Sequence, residues 1–161
     1  MNAVLILIVI ILALFAGAFL SKRRFGLLGL GLTAGAVIAP LWGETAGYVV
    51  SATGLLPEGP MINVIAIAAI TLIPAVLFMF HGYSYKGMFG RVTGSLLFTV
   101  LAIALLIQPL STIMEISGPI GTVYRWFVEN HSLVISVGVV FAIIDTLTAK
   151  AVHKKAEKKH H

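Results

Sequence analysis

"FLSKRRFGLLGLGLTAGAV", residues 19–37, sets Lys22, Arg23 and Arg24 side by side and then runs at once into glycines. On both sides of the triplet the chain is uncharged for the length of a membrane crossing, from Ala3 to Leu20 and from Phe25 to Trp42. The hydrocarbon core of a bilayer is ~30 Å thick, so a spanning helix needs about 17–25 mostly apolar residues. The triplet therefore reads as the short turn of an antiparallel helical hairpin. Its long side chains can snorkel to the headgroups while their stems stay in apolar surroundings.

The same test finds further runs at Met61–Phe80, Val92–Leu110 and Leu133–Ala149. The chain is 59% hydrophobic and 11% charged, against ~25% charged for a soluble domain, so a soluble fold is excluded. Lone strands cannot satisfy their backbone in lipid, so the runs are predicted as helices. The expected fold class is all-α: a polytopic integral membrane protein with spans at 3–20, 25–42, 61–80, 92–110 and 133–149. These make one transmembrane domain, residues 1–149, followed by a basic tail, 150–161. Ala16-Gly17-Ala18 fits a signal-peptide cleavage site, but the basic residues follow the first apolar run instead of preceding it. The first helix is expected to be retained.

Charge placement sets the expected orientation. With five spans, the loops after helices 1, 3 and 5 share one side, and they hold every Lys and Arg except Arg125. Basic residues stay in the cytoplasm, so the N-terminus is expected outside and the C-terminus inside a bacterial inner membrane. The net charge of +5 comes from these clusters and not from a basic face, which argues against nucleic acid. The tail lysines Lys154, Lys155, Lys158 and Lys159, with Lys22, Arg23 and Arg24, are expected to meet anionic headgroups.

Small residues recur every fourth position in helix 2, at Gly31, Gly35, Ala39, Gly43, Gly47 and Ser51. Gly90 and Gly94 open helix 4, and Ala13, Gly17 and Ser21 lie on helix 1. Membrane helices associate through close approach at small residues, so a core of helices 1, 2 and 4 is expected. The same faces would also serve a homo-oligomer or a membrane-protein partner. Pro40 lacks a backbone donor and is expected to kink or break helix 2 near Trp42. Residues 43–54 then either continue the helix, bent, or lie at the interface; Pro74 is expected to kink helix 3. "GPIGTVYRWFVENH", 118–131, places Ile120, Val123, Tyr124 and Phe127 on one side and Thr122, Arg125 and Glu129 on the other. It reads as a short amphipathic helix on the outer surface.

Ionisable groups within a span are functional candidates, and Asp145 is the one that qualifies. It can pair with Lys22, Arg23, Arg24 or Arg91, or handle a proton or ion. Arg91, Arg125 and Trp126 complete the candidate functional set. Gln108 and Pro109 lie near the other end of helix 4, which argues against a proton relay. The chain has no cysteine, hence no disulfide, thiolate site or cysteine nucleophile. No HExxH, serine–histidine–acid set or phosphate loop is present, so neither catalytic residues nor a cofactor are expected. His153, His160 and His161 would need to converge within the tail to hold a metal, and none is expected.

Helix 1, the basic turn and the glycine-rich helix 2 together resemble the start of the colicin V production protein family. "GRVTGSLLFTVLAIALL", Gly90–Leu106, is similar to that family's helix 4, and "VYRWFVEN", Val123–Asn130, to the segment after it. The resemblance covers about residues 1–130. It departs at Asn2, where the family commonly has an acid. It also departs after the basic turn, where "FGLLGLG" replaces the usual Arg-Gly and acid, and in the fifth helix and lysine tail. The resemblance implies a non-enzymatic inner-membrane protein supporting toxin production or secretion, or envelope homeostasis, by scaffolding partners. From the residues alone, the alternative is a small transporter or channel subunit with Asp145 as its ionisable group.

Overall fold

The computed structural model describes residues 3–54, 59–81, 84–85, 87–114, 116 and 118–157, with the backbone alone from 150 onward. Five helices follow one another: α1 (Ala3–Ser21), α2 (Phe25–Ala52), α3 (Pro60–Phe80), α4 (Met88–Ser111) and α5 (Gly118–Glu157). Each contains a stretch long and apolar enough to cross a membrane, which is the make-up of a multi-pass membrane protein.

The centre of the bundle is α4, which packs against all four other helices. Phe98, Leu101 and Ala102 of α4 join Phe25, Leu28 and Leu32 of α2, Ala75 of α3 and Ala142 of α5 in one buried cluster. Ser95 and Thr99 are buried beside them. Their hydroxyls donate to the carbonyls of Arg91 and Ser95, one turn back, at 2.7 and 2.8 Å. No polar group of that pair is left unmatched inside the bundle.

The most extensive contact is between α2 and α3, and it corrects the expected core of helices 1, 2 and 4. The small residues of α2 face α3 in antiparallel register: Gly31 meets Ala75, Gly35 meets Thr71, Gly43 meets Ile67 and Gly47 meets Asn63. Gly31 and Gly35 step by four with Ala75 and Thr71, and Gly43 and Gly47 with Ile67 and Asn63, so two ridges run past each other, with eight residues of α2 against four of α3 around Pro40. A methyl group on Gly31 would lie 3.0 Å from the Ala75 Cα, and one on Gly35 would run into the Thr71 carbonyl. Backbone thus touches backbone, which lipid tails cannot do and side chains would prevent. The stripe marked close approach correctly; it did not name the partner, because Asn63, Ile67, Thr71 and Ala75 are not all small.

Two expected boundaries also change. Pro40 does not end α2, which runs on to Ala52, about 42 Å of helix, so residues 43–52 continue it. The missing donor at Pro40 removes one hydrogen bond, while α3 holds the segments on either side of it through Gly35 and Gly43. The amphipathic segment 118–131 is not a separate surface helix: it is the first part of the 40-residue α5. Tyr124 packs with Leu7, Ile103 and Ile107, Gly138 lies against Leu101, and Ala142 lies against Gly29. From Tyr124 to Asp145 the helix advances about 32 Å, close to the ~30 Å of a hydrocarbon core. The helix that contains the fifth apolar run therefore starts at Gly118, well before Leu133.

Candidate functional site

Three chain segments meet at one end of the bundle: the α1–α2 turn, the α3–α4 link and the Asp145 turn of α5. The first is shaped by its own backbone. α1 closes at Ser21, whose hydroxyl donates to the Ala18 carbonyl at 2.7 Å. Lys22 follows with φ 58°, the left-handed geometry that commonly ends a helix. The chain then extends through Arg24 and enters α2 at Phe25. The α3–α4 link lies alongside, with an antiparallel bridge between Arg23 and Ser84 and the Tyr85 N–H donating to the Lys22 carbonyl at 2.9 Å.

A helix exposes unpaired N–H groups and partial positive charge at its start, and unpaired carbonyls and negative charge at its end. The arginines and Asp145 answer these needs one by one. Arg23 donates through Nε to the Met79 carbonyl at 3.1 Å and through Nη2 to the Phe80 carbonyl at 3.0 Å, closing the end of α3. Arg91 donates to the Phe19 carbonyl at 3.0 Å, with its guanidinium 4.4 Å from the Phe19 ring, closing the end of α1. Asp145 serves the opposite pole: its Oδ2 accepts the Gly26 N–H, at the start of α2, at 2.8 Å. Arg24 completes the set with an ion pair to Asp145 Oδ1 at 2.7 Å, both side chains being about one-fifth exposed.

Tyr85 ties the link into this junction. Its hydroxyl accepts the Phe25 N–H at 3.2 Å and donates to Asp145 Oδ2 at 3.3 Å, and the Arg24 guanidinium lies 5.4 Å from its ring centre. Burial raises the Tyr85 pKa above its usual 10.0, countered in part by the Phe25 N–H and by Arg24 and reinforced by Asp145. The phenol therefore stays protonated, as its donor role requires. Its ring fills the space left by two glycines: a methyl on Gly90 would lie 2.8 Å from the ring, and one on Gly94 2.5 Å. Gly90 and Gly94 thus receive an aromatic side chain and not, as expected, a neighbouring helix. Gly17 makes ordinary contact with Met79, 3.8 Å from an added methyl.

Of the expected site residues, the structure unites Asp145 with Arg24 and places Arg23 and Arg91 at adjoining helix ends. Arg125 and Trp126 lie toward the far end of α5. Arg125 Nε donates to the Gly121 carbonyl at 3.4 Å, and Trp126 is exposed, edge-on to Phe127. Lys86, Lys158 and Lys159 lie outside the described residues, as do His160 and His161; Lys154, Lys155 and His153 are described in backbone only. Tyr85 and Gly26 were not among the expected site residues. A methyl on Gly26 would run into the Thr146 hydroxyl and lie 2.6 Å from the Ala142 carbonyl, so this glycine lets α5 bring Asp145 onto the start of α2. Its position two residues past the basic triplet was the available signal.

Chemically the junction is a closed circuit. Both Asp145 oxygens are occupied by charged or neutral donors, and a groove of about 290 Å³ lined by Tyr85, Phe89, Phe141 and Thr148 runs past it. Among the described residues no group of three or more His, Cys, Asp or Glu side chains is placed to hold a metal ion. Comparison with protein families, curated proteins and solved structures gives no match.

Proposed function

We propose that the chain is a non-enzymatic integral membrane protein that works by holding partners. In line with the resemblance to colicin V production proteins, its service would be to toxin secretion or envelope homeostasis in a bacterial inner membrane. The observation that carries this reading is the saturation of Asp145 by Arg24, Gly26 and Tyr85. A coupling carboxylate must exchange its proton or ion during each cycle; this one ties the α1–α2 turn and the α3–α4 link to α5. The orientation proposed is N-terminus out and C-terminus in, because the α1–α2 turn and the α3–α4 link lie together and carry the basic residues. Anionic headgroups are the proposed lipid partners at that end, where Lys22 is exposed.

The second reading, a small transporter or channel subunit with Asp145 as its ion-handling group, is favoured by the groove that reaches Asp145. Reconstitution into proteoliposomes separates the two. The holding role predicts no proton or cation flux from the wild-type chain, and peptide-toxin secretion in cells that follows the amount of folded protein in wild type and Asp145→Asn alike. A flux abolished by Asp145→Asn would replace it with the transporter reading.

A further inference from the structure

The glycine faces of α2 and α4 are filled within the chain, by α3 and by Tyr85. A different stripe is left open. Arg125, Glu129, Ser132 and Ser136 of α5 are all exposed, and by helical geometry they fall within about 60° of one another around the axis. The other residues on the open side of α5 are apolar, among them Leu133, Val137, Val140 and Ile144. Counted along the helix from Asp145 at the basic end, Ser136 lies about 14 Å away, Ser132 about 20 Å and Glu129 about 24 Å, within the ~30 Å of a hydrocarbon core. An ionisable residue within a span is costly in lipid and as a rule faces the interior of a bundle. Glu129 and the residues in line with it face out of their own bundle, so the interior they address is that of a larger assembly.

Charge and spacing say which partner. Arg125 gives its Nε to the Gly121 carbonyl at 3.4 Å, and neither Arg125 nor Glu129 has an ion-pair partner among the described residues. The two are one turn apart and opposite in sign, so the stripe complements itself. Under a two-fold axis, Arg125 of each copy faces Glu129 of the other, and both charges are matched without a third chain. Copies inserted in the same direction form such a pair about an axis along the membrane normal, with their α5 helices parallel. Arg125 to Ser132 and Glu129 to Ser136 are each steps of seven, the repeat that keeps one seam turned toward a parallel partner. The Ser136 hydroxyl already donates to the Ser132 carbonyl at 2.8 Å, so this small side chain admits a second helix without leaving a donor unpaired.

We propose that α5 pairs with α5 of a second copy along Arg125, Glu129, Ser132 and Ser136, the two chains being joined by reciprocal Arg125–Glu129 ion pairs. The pairing rests on the membrane placement of the chain and not on what the chain holds, so its failure would leave the holding role where it stands.

The chain has no cysteine, so oxidative cross-linking of single cysteines in native membranes tests the pairing. With copper phenanthroline, Ser136→Cys is expected to give a disulfide-linked dimer of the full-length chain. Val137→Cys, 47% exposed at the same depth but about 100° further round the helix, is expected to stay monomeric. Arg125→Glu and Glu129→Arg, both at exposed positions, should each weaken dimerisation about tenfold, the low end for close charge pairs. The doubly reversed chain should recover it. Sedimentation equilibrium in detergent reads the dimer, and circular dichroism establishes that the variants remain folded. Equal cross-linking of Ser136→Cys and Val137→Cys, no dimer from either, or a double reversal that fails to recover would each overturn the proposal. A Ser136→Cys adduct with a different membrane protein would overturn it in favour of a foreign helix.

Discussion

Asp145 on α5 accepts the backbone N–H of Gly26, the second residue of α2, at 2.8 Å. The two residues are 119 positions apart in sequence, yet they perform the local task of capping a helix start. Arg24, the residue flanking α2, contributes no side-chain cap of its own. It recruits one from α5 through its ion pair with the same carboxylate. Arg23 and Arg91 do the converse at the ends of α3 and α1. The arginines that mark one side of the membrane in the sequence are thus also the fasteners that join five helices at that side.

The Arg24–Asp145 pair is expected to act as a unit. Arg24→Gln and Asp145→Asn each leave a charged group without its partner, and each should lower stability by ~1–3 kcal/mol. The double variant should cost less than the two singles together, with a coupling of ~0.5–3 kcal/mol. Thermal unfolding of the four proteins in one detergent measures this directly, and additive losses would mean that the pair does not interact.

Tyr85 gives the junction a pH dependence of definite sign. Folding raises its pKa, mainly by burial, and Asp145 and Arg24 are the charged groups that face it. Its stabilising contribution is complete below the ordinary value of 10.0 and is lost as pH rises through the higher folded value. Stability measured from pH 8 to 11 should therefore fall more steeply for the wild type than for Tyr85→Phe. The other tyrosines are common to both proteins, so equal slopes would show that Tyr85 contributes nothing to the decline.

Glycine substitutions should separate backbone contact from mere proximity. Gly35→Ala places a methyl in the Thr71 carbonyl, which only a parting of α2 from α3 can relieve, at ~1–3 kcal/mol. Gly17→Ala meets only the Met79 methyl at an ordinary distance. There the helix propensity of alanine should leave stability unchanged or raised by up to ~1 kcal/mol. Chemical or thermal unfolding of both variants gives the comparison. Equal effects would remove the claim that α2 and α3 touch through their backbones.

What could be read in advance divides along the reach of the interactions. The five helices were legible because lipid thickness and hydropathy are local quantities, and Lys22–Arg24 marked the first turn plainly. Gly31, Gly35, Gly43 and Gly47 announced close approach, but the choice of α3 rests on Asn63, Ile67, Thr71 and Ala75 falling opposite them, a pairwise fact. The α5 boundary was misplaced because Arg125, Glu129 and His131 broke the apolar run without breaking the helix. Asp145 was recognised as the group needing a partner, and Arg24 stood among the four cations offered to it. Gly26 and Tyr85 were not expected beside Asp145 because a backbone donor and a phenol carry no charge pattern.

The sidedness of the bundle is open to direct measurement because the chain has no cysteine. Single cysteines at Lys22 and Ser84, both exposed, flank the Arg23–Ser84 bridge and should react from the same side of sealed membranes. Cysteines at Thr53 and Thr112, just past the ends of α2 and α4, should react from the opposite side. An impermeant maleimide applied to intact cells and to inverted vesicles should then label Thr53→Cys and Thr112→Cys in cells, and Lys22→Cys and Ser84→Cys in inverted vesicles alone. The reverse pattern would turn the whole bundle over while leaving its packing intact. Lys22→Cys and Ser84→Cys labelling from different sides would break the bridge between the α1–α2 turn and the α3–α4 link, and with it the junction that holds Asp145.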